Sequence, residues 1–311
     1  MILEERDRWT MVTVNTKWKE FGVTIAGGYE YGDQSYHVVN PTGICIDDDD
    51  QSIYITEWNN HRVVRWKFNW EEGEILAGDN GQGNRTDQLN WPTDVVINQN
   101  NDSLLICDQQ NRRIVQWPRR YGKQGHILFQ RIACEGLTIN KYGDFYFSNI
   151  RINAVERWRD GIRTIVAGGN GKGNNWNQLD FPSYIFVDQN NSIYVSEYFN
   201  HRVMKWLEGA KEGILVAGGN GQGNDQTQLN GPRGVLVDHL QSIYVADSKN
   251  HRIMRWLKGA TTGSIIVGEY GKGNYLNQLD TPRDIAFDRK SNLYVADFAN
   301  HRVQKFEIDY Y

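Results

Sequence analysis

The sequence predicts an all-β ring of six four-stranded antiparallel sheets, and three observations predict it. First, one phrase recurs about every fifty residues: Asn60-His61-Arg62-Val63, Asn200-His201-Arg202-Val203, Asn250-His251-Arg252-Ile253 and Asn300-His301-Arg302-Val303. Asn111-Arg112-Arg113-Ile114 is a weaker copy and Ile152-Asn153-Ala154-Val155 a decayed one, which makes six units. A fixed period of this size in a strand-rich chain signals a closed or stacked repeat array. Second, each unit holds four short β-rich runs separated by Gly, Asn and Asp turn chemistry, as one antiparallel sheet requires. Third, the two ends complement each other. The chain stops soon after the third run of the last unit, whereas residues 21–28 look like an isolated fourth run near the start. Pairing the two closes the ring and leaves no open sheet edge at the joint. The result is a six-bladed β-propeller.

The fifth unit shows the four elements in order. Pro232-Arg233-Gly234-Val235-Leu236-Val237 is strand a, entered by a proline where a missing backbone donor does least harm. Pro41, Pro92, Pro182 and Pro282 repeat that entry, and Cys134 replaces it in the third unit. Strand b is Ser242-Ile243-Tyr244-Val245-Ala246-Asp247, and strand c is His251-Arg252-Ile253-Met254-Arg255-Trp256. Strand d is Gly263-Ser264-Ile265-Ile266-Val267-Gly268, and a glycine-rich loop leads to the next proline. Strand c carries an aromatic at a fixed offset, in Trp66, Trp117, Trp158, Trp206, Trp256 and Phe306, as expected for rings filling the space between blades. The chain therefore divides into residues 1–20, outside the clear repeats, and a single propeller domain over 21–311.

These units resemble NHL repeats, named for the Asn-His-Leu phrase at this turn; here the third letter is Arg, in the wider phrase Tyr-Val-Ala-Asp-x-x-Asn-His-Arg. The likeness spans about residues 21–306. It implies a six-bladed propeller without implying one activity, since NHL propellers serve as RNA-binding modules, kinase sensor domains, a peptide-amidating lyase and protein-binding scaffolds. Fold and function are separate questions.

A net charge of −4 provides no global basic field to draw in nucleic acid or an anionic membrane. No run approaches the roughly 18 apolar residues of a membrane span. Charges in Met-Ile-Leu-Glu-Glu-Arg-Asp-Arg stand where a signal peptide has its apolar core, so no export signal is expected. Cys45, Cys107 and Cys134 are odd in number and lack a CxxC pair, and the expected state is buried free thiols.

Each unit except the third ends strand b with an acid and carries arginine five residues later: Glu57 with Arg62, Asp108 with Arg113, Glu197 with Arg202, Asp247 with Arg252, Asp297 with Arg302. Asn149 and Ala154 replace both partners together, which marks a structural pair. The repeat histidines share that reading. His37, His126 and His239 lie outside it, on different parts of different units, and are not expected to converge on a zinc ion. Asp47-Asp48-Asp49-Asp50 lacks the spacing of a calcium loop and reads as a solvated turn. The Gly-x-Gly-Asn loops precede strands, not helix N-termini, and so are not read as phosphate cradles.

What varies between units points to recognition. The b-to-c and d-to-a loops emerge on one face, because alternate turns of an up-and-down sheet share an end. There Trp58, Asn59, Gln109, Ile150, Arg151, Tyr198, Phe199 and Phe298 are candidate ligand-binding residues, since large rings on loop tips have no obvious packing duty. Asp94, Arg233 and Asp284 are candidates for the channel entrance. The second-to-third step is short and lacks the glycine loop, which predicts a notch near Arg131, Glu135 and Arg151. The expected function is a non-catalytic, monomeric binding or scaffold module for a protein, peptide or glycan, with no catalytic residue, cofactor or metal assigned. One alternative is a metal-dependent lyase or lactonase with its site in the channel. The other is single-stranded RNA binding through Arg85, Arg233 and Arg283.

Overall fold

A computed structural model of the chain describes residues 11–120 and 122–310. Six four-stranded antiparallel sheets succeed one another along the described chain. The first blade comprises strands a to d at Pro41–Asp47, Ser52–Glu57, Arg62–Lys67 and Glu74–Ala77. The second uses Pro92–Asn98, Ser103–Asp108, Arg113–Pro118 and His126–Gln130; the third uses Cys134–Ile139, Phe145–Asn149, Ala154–Arg159 and Ile162–Gly168. The fourth and fifth run from Pro182–Val187 to Ile214–Gly218 and from Pro232–Val237 to Ser264–Val267.

In the sixth, Pro282–Phe287, Leu293–Asp297 and Arg302–Phe306 are completed by Val23–Gly27. Val23 pairs with Lys305 and Gly27 with Arg302, so the ring closes as the two ends of the sequence predict. Upstream, Lys17–Trp18 pairs with Ile308–Asp309, and Trp18 is buried against Phe287 and Tyr244 of neighbouring blades. Residues 1–10, including Trp9, lie outside the described part.

The core lies between blades. Trp117, Trp206, Trp256 and Phe306 are at most 1 % exposed, and Trp66 is buried beside them. Each fully buried side chain of this size contributes roughly 1.5–3 kcal/mol. Trp158 is only partly buried, stacked on Phe145. A glycine lies against the ring in five blades; a Cβ on Gly213 would come within 2.9 Å of Trp206.

The repeated phrase is a clamp. Arg302 donates from Nε to Asp297 at 2.7 Å, and its other nitrogens reach the carbonyls of Asn274, Tyr275 and Gln278 in the d-to-a loop that enters the blade. Asn300 bridges Asp297 and the Gly273 carbonyl of the same loop. Arg62, Arg113, Arg202 and Arg252 repeat the arrangement. The histidine between them serves the next blade: Nδ1 of His61, His201, His251 and His301 accepts the backbone N–H of Trp91, Gly231, Thr281 and Asn40. This explains the coupled loss in the third blade. No glycine loop enters that blade, so neither acid nor arginine has anything to hold.

Two expectations are corrected. Cys107 and Cys134 form a disulfide, with Cα atoms 5.3 Å apart, while Cys45 lies outside the bridge. Cys107 is the penultimate residue of strand b of one blade and Cys134 opens strand a of the next. Blade stacking makes those positions neighbours, a proximity that an odd cysteine count does not reveal. The aspartate run is solvated only in part: Asp47 is buried and paired with Arg119, whereas Asp49 is exposed and pairs with Arg289 at 2.7 Å.

Candidate functional site at the channel mouth

The b-to-c turns and d-to-a loops share one face, tied together by bonds such as Trp58 N–H to the Asn40 carbonyl and Tyr198 N–H to the Phe181 carbonyl. Strand a of every blade runs from this face down the central channel. Between its opening residue and the third residue beyond it, pairing to strand b shifts register in every blade. Such bulges re-aim side chains. Here they give the channel two successive layers.

The upper layer, one residue into strand a, contains Thr42, Thr93, Glu135, Ser183, Arg233 and Arg283. Thr42 and Ser183 spend their hydroxyls on strand carbonyls. Arg233 of the fifth blade reaches Glu135 of the third at 2.7 Å, with both side chains buried. Gln109 donates to the second oxygen of Glu135 at 2.5 Å. The next layer reads Gly43, Asp94, Gly136, Tyr184, Gly234, Asp284, so glycine alternates with a larger residue around the ring. A Cβ on Gly43 would stand 2.5 Å from Asp94 Oδ1, and one on Gly234 would stand 2.8 Å from the Asp284 Cα.

Tyr184 of the fourth blade bridges the axis, its hydroxyl reaching the carbonyls of Thr42 at 2.8 Å and Thr93 at 3.1 Å. Asp94 accepts the N–H groups of Leu137 and Val95, and Asp284 those of Ile44 and Ile285. Each carboxylate thus ties its own blade to the next. Burial pushes the Asp284 carboxyl up to about 7; burial, reinforced by the charge of Asp284, raises Asp94 well above the ordinary range.

Above these layers the loop tips carry two aromatic groups. Trp58 stacks on Trp91 with centroids 4.5 Å apart and stands 6.5 Å from Phe298. Across the mouth, Phe181, Tyr198 and Phe199 contact one another at 5.1–5.6 Å. Two arginines continue the arc: Arg283 lies 4.2 Å over Phe298, and Arg233 lies 4.7 Å over Tyr198. Phe199 is 51 % exposed, whereas Trp58, Tyr198 and Phe298 are half-buried.

The sequence-predicted residues therefore separate. Trp58, Tyr198, Phe199, Phe298 and Arg233 gather at the mouth, together with Gln109 through Glu135. Asn59 bonds to Asn40 at 2.8 Å, and Asp94 and Asp284 lie below as interblade ties. Ile150 sits on the third blade's b-to-c turn, its N–H bonded to the Ala133 carbonyl. Arg151 lines the predicted notch with Arg112 and Arg131. Glu135 is not part of that notch; it is drawn into the mouth by Arg233. Of the arginines weighed for RNA, Arg85 is paired with Asp87 and Arg233 with Glu135. His37, His126 and His239 stay apart: His37 stacks near Tyr36, His126 begins a strand d, and His239 lines a cleft on the opposite face with Asn140 and Asp188.

Sequence reasoning missed Trp91, Phe181 and Tyr184. The first two precede strand-a prolines and adopt φ of 51°, where the fifth blade has glycine. Bulky residues in that region carry a conformational cost, so these rings are not there for backbone stability.

The six blades and their clamps define the class of protein, and comparison with known proteins agrees. The NHL repeat model matches residues 39–66, 229–255 and 279–306, and the chain is an NHL-repeat β-propeller. No curated protein sequence matches it. Among solved structures, an auxiliary nutrient binding protein from Bacteroides thetaiotaomicron VPI-5482 superposes with a TM-score of 0.73 at 16 % identity, over 94 % of this chain and 77 % of that one. A gluconolactonase from Xanthomonas campestris gives 0.62 at 14 % identity, over 89 % and 88 % of the two chains. Virginiamycin B lyase from Staphylococcus aureus gives 0.56 at 12 % identity, over 94 % and 99 %. Likeness at these identities is likeness of fold.

Proposed function

We propose that this propeller is a non-catalytic binding module that takes a peptide, protein or glycan ligand on the face bearing the b-to-c and d-to-a loops. The observation that carries this reading is the arc of aromatic and arginine side chains around a mouth that Tyr184 floors. Rings held on rigid loops give large contact area at low entropic cost, as recognition anchors do. A binder is also found among proteins of similar fold, since one of them is described as an auxiliary nutrient binding protein. The channel carboxylates support the same reading, because both oxygens of Asp94 and Asp284 are engaged by backbone amides.

The test is a peptide and glycan array probed with the wild-type chain and with Trp58→Ala, Tyr198→Ala and Phe298→Ala. Each variant should keep the wild-type melting profile and weaken binding by about tenfold or more, as hot-spot rings do. Unchanged binding to every partner in all three variants would remove the mouth from consideration. A stoichiometric metal in protein purified without chelators would instead favour lyase or lactonase chemistry in the channel.

A further inference from the structure

Arg283 stands out within the mouth. Its Nε is sealed from solvent without a hydrogen-bond acceptor, and its guanidinium forms no ion pair among the described residues. Its contact is the face of Phe298 at 4.2 Å. The neighbouring Arg233, which is more deeply buried, has what Arg283 lacks, a bond to Glu135. Glu135 directs its hydrogen bonds elsewhere, one oxygen to Arg233 and the other to Gln109. The upper layer therefore holds two arginines and one carboxylate, an excess of one positive charge within that layer, and Arg283 is the arginine without an ion pair among the described residues. A half-buried cation whose Nε is sealed and unpaired is costly unless something supplies its counter-charge.

From this geometry we infer that Arg283 is the anchor for a carboxylate carried by the ligand. The inference rests on the binding reading given above and names the ligand's chemistry. The guanidinium fork accepts a planar carboxylate through two parallel N–H bonds, and one negative charge balances the site where a dianion would overshoot. The rings of Phe298 and Trp58 beside it would cover the ligand's apolar part, placing the anionic group deep and the body of the ligand against the loop tips. A peptide C-terminus and a sugar acid both present this chemistry.

The first experiment follows the melting temperature in acetate against chloride of equal ionic strength, for the wild type and for Arg283→Met, which keeps the apolar stem. Acetate should raise the wild-type melting temperature and leave the variant unmoved, and the variant should melt no lower than the wild type in chloride, because it removes an unpaired charge. An acetate effect that is absent from the wild type, or equal in the two proteins, overturns the inference, as does a shift with inorganic phosphate but not acetate. The second uses N-acetylphenylalanine with its amide, and glucuronate with glucuronamide, by calorimetry. At least one acid should bind more tightly than its amide, by about tenfold for a charge-assisted pair, and Arg283→Met should abolish that difference. The pair showing the preference identifies the source of the carboxylate. Equal binding of acid and amide, lost together in Trp58→Ala, would sink the carboxylate anchor while leaving the aromatic mouth as a binding surface.

Discussion

At the scale of single residues, the histidine of the repeat phrase is a coupler between blades and works only when Nδ1 is unprotonated. Burial lowers the pKa of His61, His201, His251 and His301, opposed at His251 by Asp280. In the unfolded chain such imidazoles take up protons below about pH 6.5. The folded chain resists until a lower pH, so their contribution to stability is complete above that value and is lost as pH falls through the folded pKa. Carbon-bound ring protons followed by NMR should therefore show four histidines titrating below the ordinary value; titration at that value would refute the coupling role. The acid and arginine of the clamp were legible as a structural pair because both vanish together in one unit. What they hold was not legible, since the bonded partners are backbone carbonyls, which the side-chain sequence does not display.

At the scale of elements, strand a explains both what was read and what was missed. Its proline entry and apolar run identify it at once, yet a bulge just inside the entry breaks the alternation by which a strand's inner face is read. Two successive residues thus help build the channel, and Tyr184 escaped notice although Gly43, Asp94, Gly136, Tyr184, Gly234 and Asp284 alternate small and large in plain view. The glycines of that series make room for the adjacent blade. A Cβ on Gly136 would meet the Ser183 carbonyl and the Tyr184 Cα at 2.8 Å, both of them backbone atoms that cannot swing aside. Gly136→Ala should cost about 1–3 kcal/mol in denaturant unfolding, as overpacking does. No change in stability would mean that neighbouring strands can separate without penalty, and the layered account of the channel would fall. The aromatic tips were found in sequence because they vary where the rest repeats; Trp91 and Phe181 were hidden by standing next to a proline that drew attention as punctuation.

At the scale of the whole molecule, six interblade cores, one ring joint and one disulfide hold the described residues together. The Cys107–Cys134 bridge fastens the second blade to the third, where the short connection has removed the loop and clamp found elsewhere. Closing a loop with 27 residues of sequence separation stabilises by about 3–4 kcal/mol on chain-entropy grounds. Thiol titration in denaturant without reductant should find one reactive group per chain, from Cys45, and reduction should lower the unfolding midpoint. Three reactive thiols before reduction would place the two sulfurs side by side but unbonded. The ring joint has a further consequence, which concerns time. Val23–Gly27 is synthesised long before its partner Arg302–Phe306. During synthesis a waiting strand therefore precedes a growing row of blades, each new blade exposing an apolar flank until its successor arrives. Such long-range pairing comes late in folding. The sheet that joins the ring acts as a completion check: without Arg302–Phe306 the other five blades could fold yet remain an open arc.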